Sequence, residues 1–210
     1  VLLEGFRQMR ARIKRPLTLI CSVLALFVGL VGVANGQTNH GLLIDIDGPI
    51  SPITANFLDQ ALIEASESGS ELIVIRINTP GGLLSSTRDM VGSLLESEVP
   101  SVVYVAPSGA RAGSAGTFIT AAANFAVMAP GTNIGAASPV GSSGQELSET
   151  LASKLTEDAA ALMRDIADKR RRNIEKLEST VTNATSYSSS EAVDLGIVDF
   201  VAEDIDDLIA

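Results

Sequence analysis

The chain has 210 residues, enough for one domain with a sizeable core plus an extra segment, and its 15 lysines and arginines against 25 aspartates and glutamates set a formal net charge of −10. A single cysteine, Cys21, and a single histidine, His40, exclude an intrachain disulfide and a histidine-rich metal site, and the carboxylates show no metal-loop spacing, so neither metal nor other cofactor is expected. The acidic balance argues against nucleic acid as a partner and against electrostatic adhesion to anionic lipid.

The first 36 residues differ from the rest. Arg7, Arg10, Arg12, Lys14 and Arg15 face only Glu4, and an uncharged apolar run follows from Leu17 to Ala34. As a helix that run reaches roughly 27 Å at about 1.5 Å per residue, near the ~30 Å thickness of a bilayer's hydrocarbon core. Residues 1–36 therefore read as a signal peptide or an uncleaved N-terminal membrane anchor, with residues 37–210 exported to an extracytoplasmic, periplasmic setting. Both Gly32-Val33-Ala34 and Ala34-Asn35-Gly36 have the small-x-small pattern of a cleavage site. Leu19-Ile20 lack the small residue expected before a lipidated cysteine at Cys21. With five basic residues and one acidic residue in that segment, residues 37–210 hold 10 basic and 24 acidic ones, a formal −14. The dense basic run, Lys169 to Arg172, is expected at a helix end, where it complements the dipole.

From Gly41 the pattern alternates. The apolar run 42–46 predicts a strand stopped by Gly48-Pro49, and 53–66 a helix. Residues 72–77 predict a buried strand, 83–95 a helix, and 101–106 a third strand after Pro100. A helix over 115–124 and a short strand over 125–128 follow. Residues 130–150, rich in Gly, Ser and Ala, predict a flexible loop. A long helix over 151–173 has Leu151, Leu155, Ala159, Leu162 and Ile166 on one stripe. Residues 181–190 are polar, 191–195 form a last helix stopped by Gly196, and 197–201 a last strand. Short β-rich runs separated by helices indicate an α/β fold with a mainly parallel sheet.

Open sheets of this kind bind ligands beyond the carboxyl ends of their strands. Two glycine-bearing loops fall there: Asn78-Thr79-Pro80-Gly81-Gly82, and Gly109-Ala110-Arg111-Ala112-Gly113-Ser114-Ala115-Gly116. The second presents Ser114 where a strand passes into a helix, beside the free N–H groups and positive dipole end that suit an oxyanion. It also fits a tight turn whose serine merely caps the helix, and Gly81-Gly82 alone fits a plain β-to-α turn. Together the loops describe a nucleophile facing an oxyanion pocket. The serine needs a base. His40 lies before the first strand, next to the apolar segment. Beyond residue 36 the lysines are Lys154, Lys169 and Lys176. Periodicity does not choose among them: Lys154 falls roughly 110° from the centre of the apolar stripe, and Lys169 nearer to it. Position favours Lys154, which opens the long helix directly after the loop. A lysine acting as base must be desolvated, since the free side chain titrates near ~10.4.

Several ordered stretches resemble the membrane-associated serine proteases of the NfeD family, within the Clp protease/crotonase superfamily. They are residues 77–82, 109–119 and 129–137, Lys154-Leu155-Thr156, Arg170-Arg171-Arg172-Asn173, and residues 191–198. The resemblance covers about 160 residues. It implies a Clp/crotonase-like spiral of ββα units, with Ser114 and Lys154 as a catalytic dyad. The Gly82 and Ala115 N–H groups would form the oxyanion hole, and Gly81 and Gly113 would bind substrate. It further implies cleavage of extended apolar segments of membrane-associated proteins, stomatin-like partners included, and a homo-oligomer. Gly113 stands where the family usually has Ala, and Arg171 where it usually has Gly. Longer family members continue into membrane helices and a small β-barrel domain. The expectation is a protease domain that acts alone, is a fragment, or meets those parts on a separate chain. Competing readings are a signal-peptide peptidase-like enzyme, a non-catalytic peptide-binding scaffold of the same fold, and a crotonase-type acyl-CoA enzyme, which the export segment argues against.

Overall fold

The computed structural model describes residues 40–141 and 148–210. The signal peptide or anchor expected at 1–36 lies outside the described residues. Among those described, no helix is long and apolar enough to cross a membrane.

The elements run β1 (Gly41–Asp47), α1 (Pro52–Glu67), β2 (Leu72–Asn78), α2 (Leu84–Glu96), β3 (Ser101–Val105), β4 (Arg111–Gly113), α3 (Ala115–Ala122), β5 (Phe125–Met128), β6 (Asn133–Gly135), α4 (Glu149–Lys169), α5 (Ile174–Thr182), β7 (Ser186–Ser188), α6 (Ser189–Asp194), β8 (Phe200–Val201) and α7 (Ile205–Ile209). Five strands form one parallel sheet in the order β1-β2-β3-β5-β8. A second sheet, β4-β6-β7, is parallel between β4 and β6 and antiparallel between β6 and β7.

Register explains the two cores. Partners across a parallel ladder share a face, and successive residues alternate. Ile44, Ile75, Val103 and Ala126 line up on one face, with Ile46, Ile77 and Val105 beside them. That face is the main core, covered by Leu58 of α1, Met90 and Leu94 of α2, Phe118 and Ile119 of α3, and Met163 and Ile166 of α4. Val74, Val102, Tyr104 and Val127 form the opposite face, a smaller cluster closed by Ile205 and Leu208 of α7. β2 is thus apolar on both sides, which is why 72–77 reads as a nearly continuous apolar run. The small face is pinned by the Tyr104 hydroxyl, which donates to the Ala202 carbonyl at 2.8 Å, in a side chain 2% exposed. Tyr104→Phe is expected to lower unfolding free energy by about 1 kcal/mol, read from a denaturant midpoint shift. Beside it, Arg76 forks onto Asp45 at 2.6 and 2.8 Å. Both side chains are half-exposed, so the pair is worth ~0–1 kcal/mol.

Four expectations change. The loop expected over 130–150 holds β6, whose pairing to β4 and β7 comes from elements distant in sequence. The polar stretch 181–190 holds β7. The strand expected over 197–201 is a strand only at Phe200–Val201. Ile197 and Val198 instead turn their N–H groups to the Ala192 carbonyl. The helix expected over 151–173 ends at Lys169, because Arg171 takes φ 55 and Asn173 caps a new helix by accepting from the Lys176 N–H at 3.1 Å. Of the basic run, Lys169 stands in the last turn of α4, where it complements the dipole as expected. Arg170 and Arg172 fold inward onto α3.

Candidate active site

The loop after β2 is laced to β4. The Thr79 N–H donates to the Arg111 carbonyl at 2.8 Å, and the Gly113 N–H to the Thr79 carbonyl at 3.0 Å. The Thr79 hydroxyl, fully buried, accepts from the Gly81 N–H at 3.1 Å and turns the loop back on itself. Gly81 has φ +118, and a Cβ there would lie 2.6 Å from the Ser114 Cβ. Only glycine combines that backbone with so close an approach. Next to it, the Ile50 N–H donates to the Gly81 carbonyl at 2.9 Å, and the Leu83 N–H to the Ile50 carbonyl at 3.0 Å. Those bonds flank Gly82 in a parallel bridge. Alternation along extended backbone then turns Gly82's own N–H and C=O away from Ile50.

Ser114 occupies the position before α3 with φ 52 and ψ −111, and its side chain makes no capping hydrogen bond. A left-handed backbone at a non-glycine residue costs roughly 1–3 kcal/mol and collects at functional sites. The turn is held from behind. The Ser114 N–H donates to the Gly135 carbonyl at 2.9 Å, while the Thr117 hydroxyl reaches both the Ala112 and Gly135 carbonyls at 3.0 Å. Ala115 is the first residue of α3, where a helix leaves its N–H without an intrahelical acceptor. The strained turn thus presents the hydroxyl outward instead of spending it on the helix.

Ser114, Ala115 and Gly82 line one cavity of about 910 Å³. Its other walls are mainly apolar: Leu83, Leu84, Phe118, Val140, Leu155 and Ala159 among them, with no charged side chain from the described residues. Gly81 and Gly113 do not line it. Gly81 backs onto Ser114, and Gly113 pairs with Gly135 while its N–H is taken by Thr79, so neither offers an amide to the cavity in this arrangement. Lys154 is exposed on the second turn of α4 and is not part of the wall, although Leu155 and Ala159 of that helix are. Lys169 ends the same helix, about 22 Å farther along it at 1.5 Å per residue. Lys176 pairs with Glu175 on α5 at 3.2 Å. His40 precedes β1, at the amino end of the sheet, whereas Ser114 and Gly82 lie beyond carboxyl ends. A seven-residue strand separates those ends by about 23 Å. Among the described residues, no group of carboxylates, histidines or cysteines is arranged to hold a metal ion.

Sequence patterns do not reveal Thr79, Thr117 or the segment from Ala136 to Gly141, which also lines the cavity. The threonines act through hydroxyl bonds to main-chain atoms of distant elements, which leave no periodic signal. The segment falls in the stretch whose Gly, Ser and Ala content predicts a flexible loop.

A family model described as NfeD1b, N-terminal domain, matches residues 42–210. The chain is 34% identical over 165 residues to the membrane-bound protease PH1510 of Pyrococcus horikoshii, covering 78% of this chain and 37% of that protein. It is 34% identical over 146 residues to the membrane protein NfeD1b of Bacillus subtilis, covering 66% and 33%. The matched region thus spans about a third of each relative's length. Among solved structures, a lysine-to-alanine mutant of the 1510-N membrane-bound stomatin-specific protease, in complex with a substrate peptide, superposes with a TM-score of 0.77 at 31% identity, over 82% of this chain and 80% of that one. A serine-to-alanine mutant of the same protease gives 0.76 at 31%, over 81% and 83%. ClpP1 from Listeria monocytogenes gives 0.61 at 22% identity, over 78% and 92%, a likeness of fold alone. The architecture is the Clp protease-like α/β fold.

Proposed function

The chain belongs to the NfeD1b family through its N-terminal-domain match over residues 42–210, and from that membership and the site's geometry we propose that it is a serine endopeptidase working with a Ser114–Lys154 dyad. The observation that carries the proposal is Ser114 itself, held with φ 52 at the start of α3 and opening into the same cavity as Gly82.

In this reading the Ser114 Oγ attacks the scissile carbonyl, and its proton passes to the Lys154 amine. The carbonyl oxygen, now carrying the negative charge, is held by the Gly82 and Ala115 N–H groups. Lys154 then returns the proton to the departing amine, leaving an acyl-Ser114 ester, and activates the water that hydrolyses it. Two observations support Lys154 as the base: its helix neighbours wall the cavity, and the other two lysines beyond residue 36 lie at the far end of α4 and on α5. Its side chain is exposed. An apolar segment lying across the cavity would exclude water from that amine.

The wall, without a charged side chain among the described residues, suits an extended apolar segment of a membrane-associated protein. A stomatin-like target, named for the structural relative, and assembly into a homo-oligomer belong to the same proposal. The test is covalent labelling with a peptidyl phosphonate, mapped by mass spectrometry, together with hydrolysis of apolar peptides. Label on Ser114 is the expected result, and peptide hydrolysis without it would overturn the assignment. Lys154→Ala should slow hydrolysis by roughly 10²- to 10⁴-fold while shifting stability by less than about 0.5 kcal/mol, as an exposed site allows. Lys169→Ala should leave the rate unchanged. Equal rates in the two variants would remove Lys154 from the mechanism.

The exposure of Lys154 favours one second reading, a peptide-binding scaffold that keeps the fold without turnover. Stable binding of intact peptide to a protein that resists the phosphonate would establish it.

A further inference from the structure

The run Arg170-Arg171-Arg172 looks like a solvated helix end in sequence, and the structure turns two of its three side chains inward. The Arg172 Nε donates to the Ala121 carbonyl at 3.1 Å and its Nη2 to the Ala123 carbonyl at 3.2 Å. Its Nη1 pairs with Asp199 at 2.9 Å, and that same carboxylate oxygen accepts from the Ala126 N–H at 2.7 Å. The Arg172 side chain is 3% exposed. Arg170 donates through Nε to the Ala122 carbonyl at 2.7 Å and through Nη2 to the Leu94 carbonyl of α2 at 3.0 Å. Three successive carbonyls at the end of α3 are therefore held by two guanidinium groups. The left-handed Arg171 between them, φ 55, leaves its own side chain in solvent.

The helix so held is unusual in its surroundings. Every residue of α3 is buried, so its last carbonyls cannot turn to water as helix ends ordinarily do. Much of its surface is Ala115, Gly116, Ala121 and Ala122, small side chains that interlock weakly with their neighbours. Its larger side chains, Phe118 and Ile119, lie in the main core, and its carboxyl-terminal residues Ala121 and Ala122 carry only methyl groups. At the amino end the Ser114 N–H and the Thr117 hydroxyl hold the helix to Gly135 and Ala112, and at the carboxyl end the arginine hydrogen bonds hold it. Two positive groups at the negative end of the dipole also offset it. That offset opposes the repulsion between them, and burial followed by the Arg172 charge holds the Arg170 guanidinium below its ordinary range.

We propose that Arg172, seconded by Arg170, is a positioning residue for the nucleophile: it anchors the carboxyl end of α3 and thereby sets where the amino end holds Ser114 and the Ala115 N–H. An eight-residue helix carries that constraint over about 12 Å. A displacement of about 1 Å at a reacting group can cost 10²-fold in rate. The catalytic consequence rests on the protease reading above; the structural one does not.

The test compares Arg172→Gln, Arg172→Lys and a control, Val127→Ala. The control's side chain lies in the small core on the sheet face opposite the main core that holds α3, and its truncation destabilises the fold generally. Two quantities are read: the rate of phosphonate labelling at Ser114, and backbone hydrogen exchange. Relative to the control, Arg172→Gln should slow labelling by at least about tenfold and speed exchange of the α3 amides by a similar factor, with β1 and β2 following the control. Arg172→Lys, which keeps the charge but not the fork, should fall between wild type and Arg172→Gln. Should Arg172→Gln fail to fold, Asp199→Asn keeps the guanidinium, removes its carboxylate charge, and should move both readouts the same way by less. Labelling and α3 exchange indistinguishable from the control would overturn the inference. So would acceleration spread evenly over all elements, which is global destabilisation. A wild type that takes no label sinks the protease reading instead, and α3 exchange then decides the positioning role alone.

Discussion

Ser114→Ala should lower peptide hydrolysis by roughly 10³- to 10⁶-fold, the range seen when a serine nucleophile is removed, and leave stability within about 0.5 kcal/mol of wild type. The second half of that expectation separates two readings of the residue. A serine that caps a helix stabilises it, and its loss typically costs about 1 kcal/mol. Ser114 occupies the capping position but makes no capping bond. Its contribution to the fold is main-chain: the N–H to Gly135 survives in alanine. Thermal or denaturant unfolding beside steady-state hydrolysis gives both numbers. A stability loss of about 1 kcal/mol with activity retained would return Ser114 to the role of a cap.

Gly82→Ala is the second large expected effect, and it acts on both quantities at once. A Cβ at Gly82 would stand 2.0 Å from the Ile50 carbonyl oxygen and 2.5 Å from its nitrogen. Those are main-chain atoms fixed by two hydrogen bonds, so no side-chain rotation relieves the clash. The loop must move off Ile50, carrying with it the N–H proposed for the oxyanion. Stability should fall by about 1–3 kcal/mol, as for forced overpacking. Hydrolysis should fall at least about 10²-fold, as for loss of one oxyanion donor. Gly92→Ala serves as the matched control. Gly92 lies inside α2 with nothing within 4 Å of an added Cβ, so alanine there should raise stability by about 0.4–1 kcal/mol and leave the rate alone. A Gly82→Ala protein of wild-type activity would remove the oxyanion role.

Both positions are legible in the sequence because glycine and strand punctuation mark them. The runs 42–46, 72–77, 101–106 and 125–128 correspond to β1, β2, β3 and β5 within a residue or two. They are mainly apolar, and both faces or one full face must be buried, so pattern and structure carry the same information. β4, β6 and β7 are three residues each, Arg-Ala-Gly, Asn-Ile-Gly and Ser-Tyr-Ser, with no strand pattern of their own. They are strands because distant segments meet there. Lys154 is singled out by resemblance and chain position, since helical periodicity does not select it. Its exposed place beside the cavity wall is a tertiary fact.

By itself, the sequence determined the parallel α/β core, the two glycine loops beyond its carboxyl ends, and Ser114 as the residue where one of them enters a helix. These follow from local chemistry: apolar runs, glycines where the backbone must turn or approach closely, and a serine at a helix start. Only the tertiary structure decided whether that serine caps or points outward, which backbone amides share its cavity, and where the arginine run goes. Each depends on groups far apart in the chain. Gly135 holds the Ser114 turn across 21 positions, and Arg172 holds Ala121 across 51. Hydrogen bonds over such separations leave no trace in local composition, because any residue has the main-chain atoms that make them.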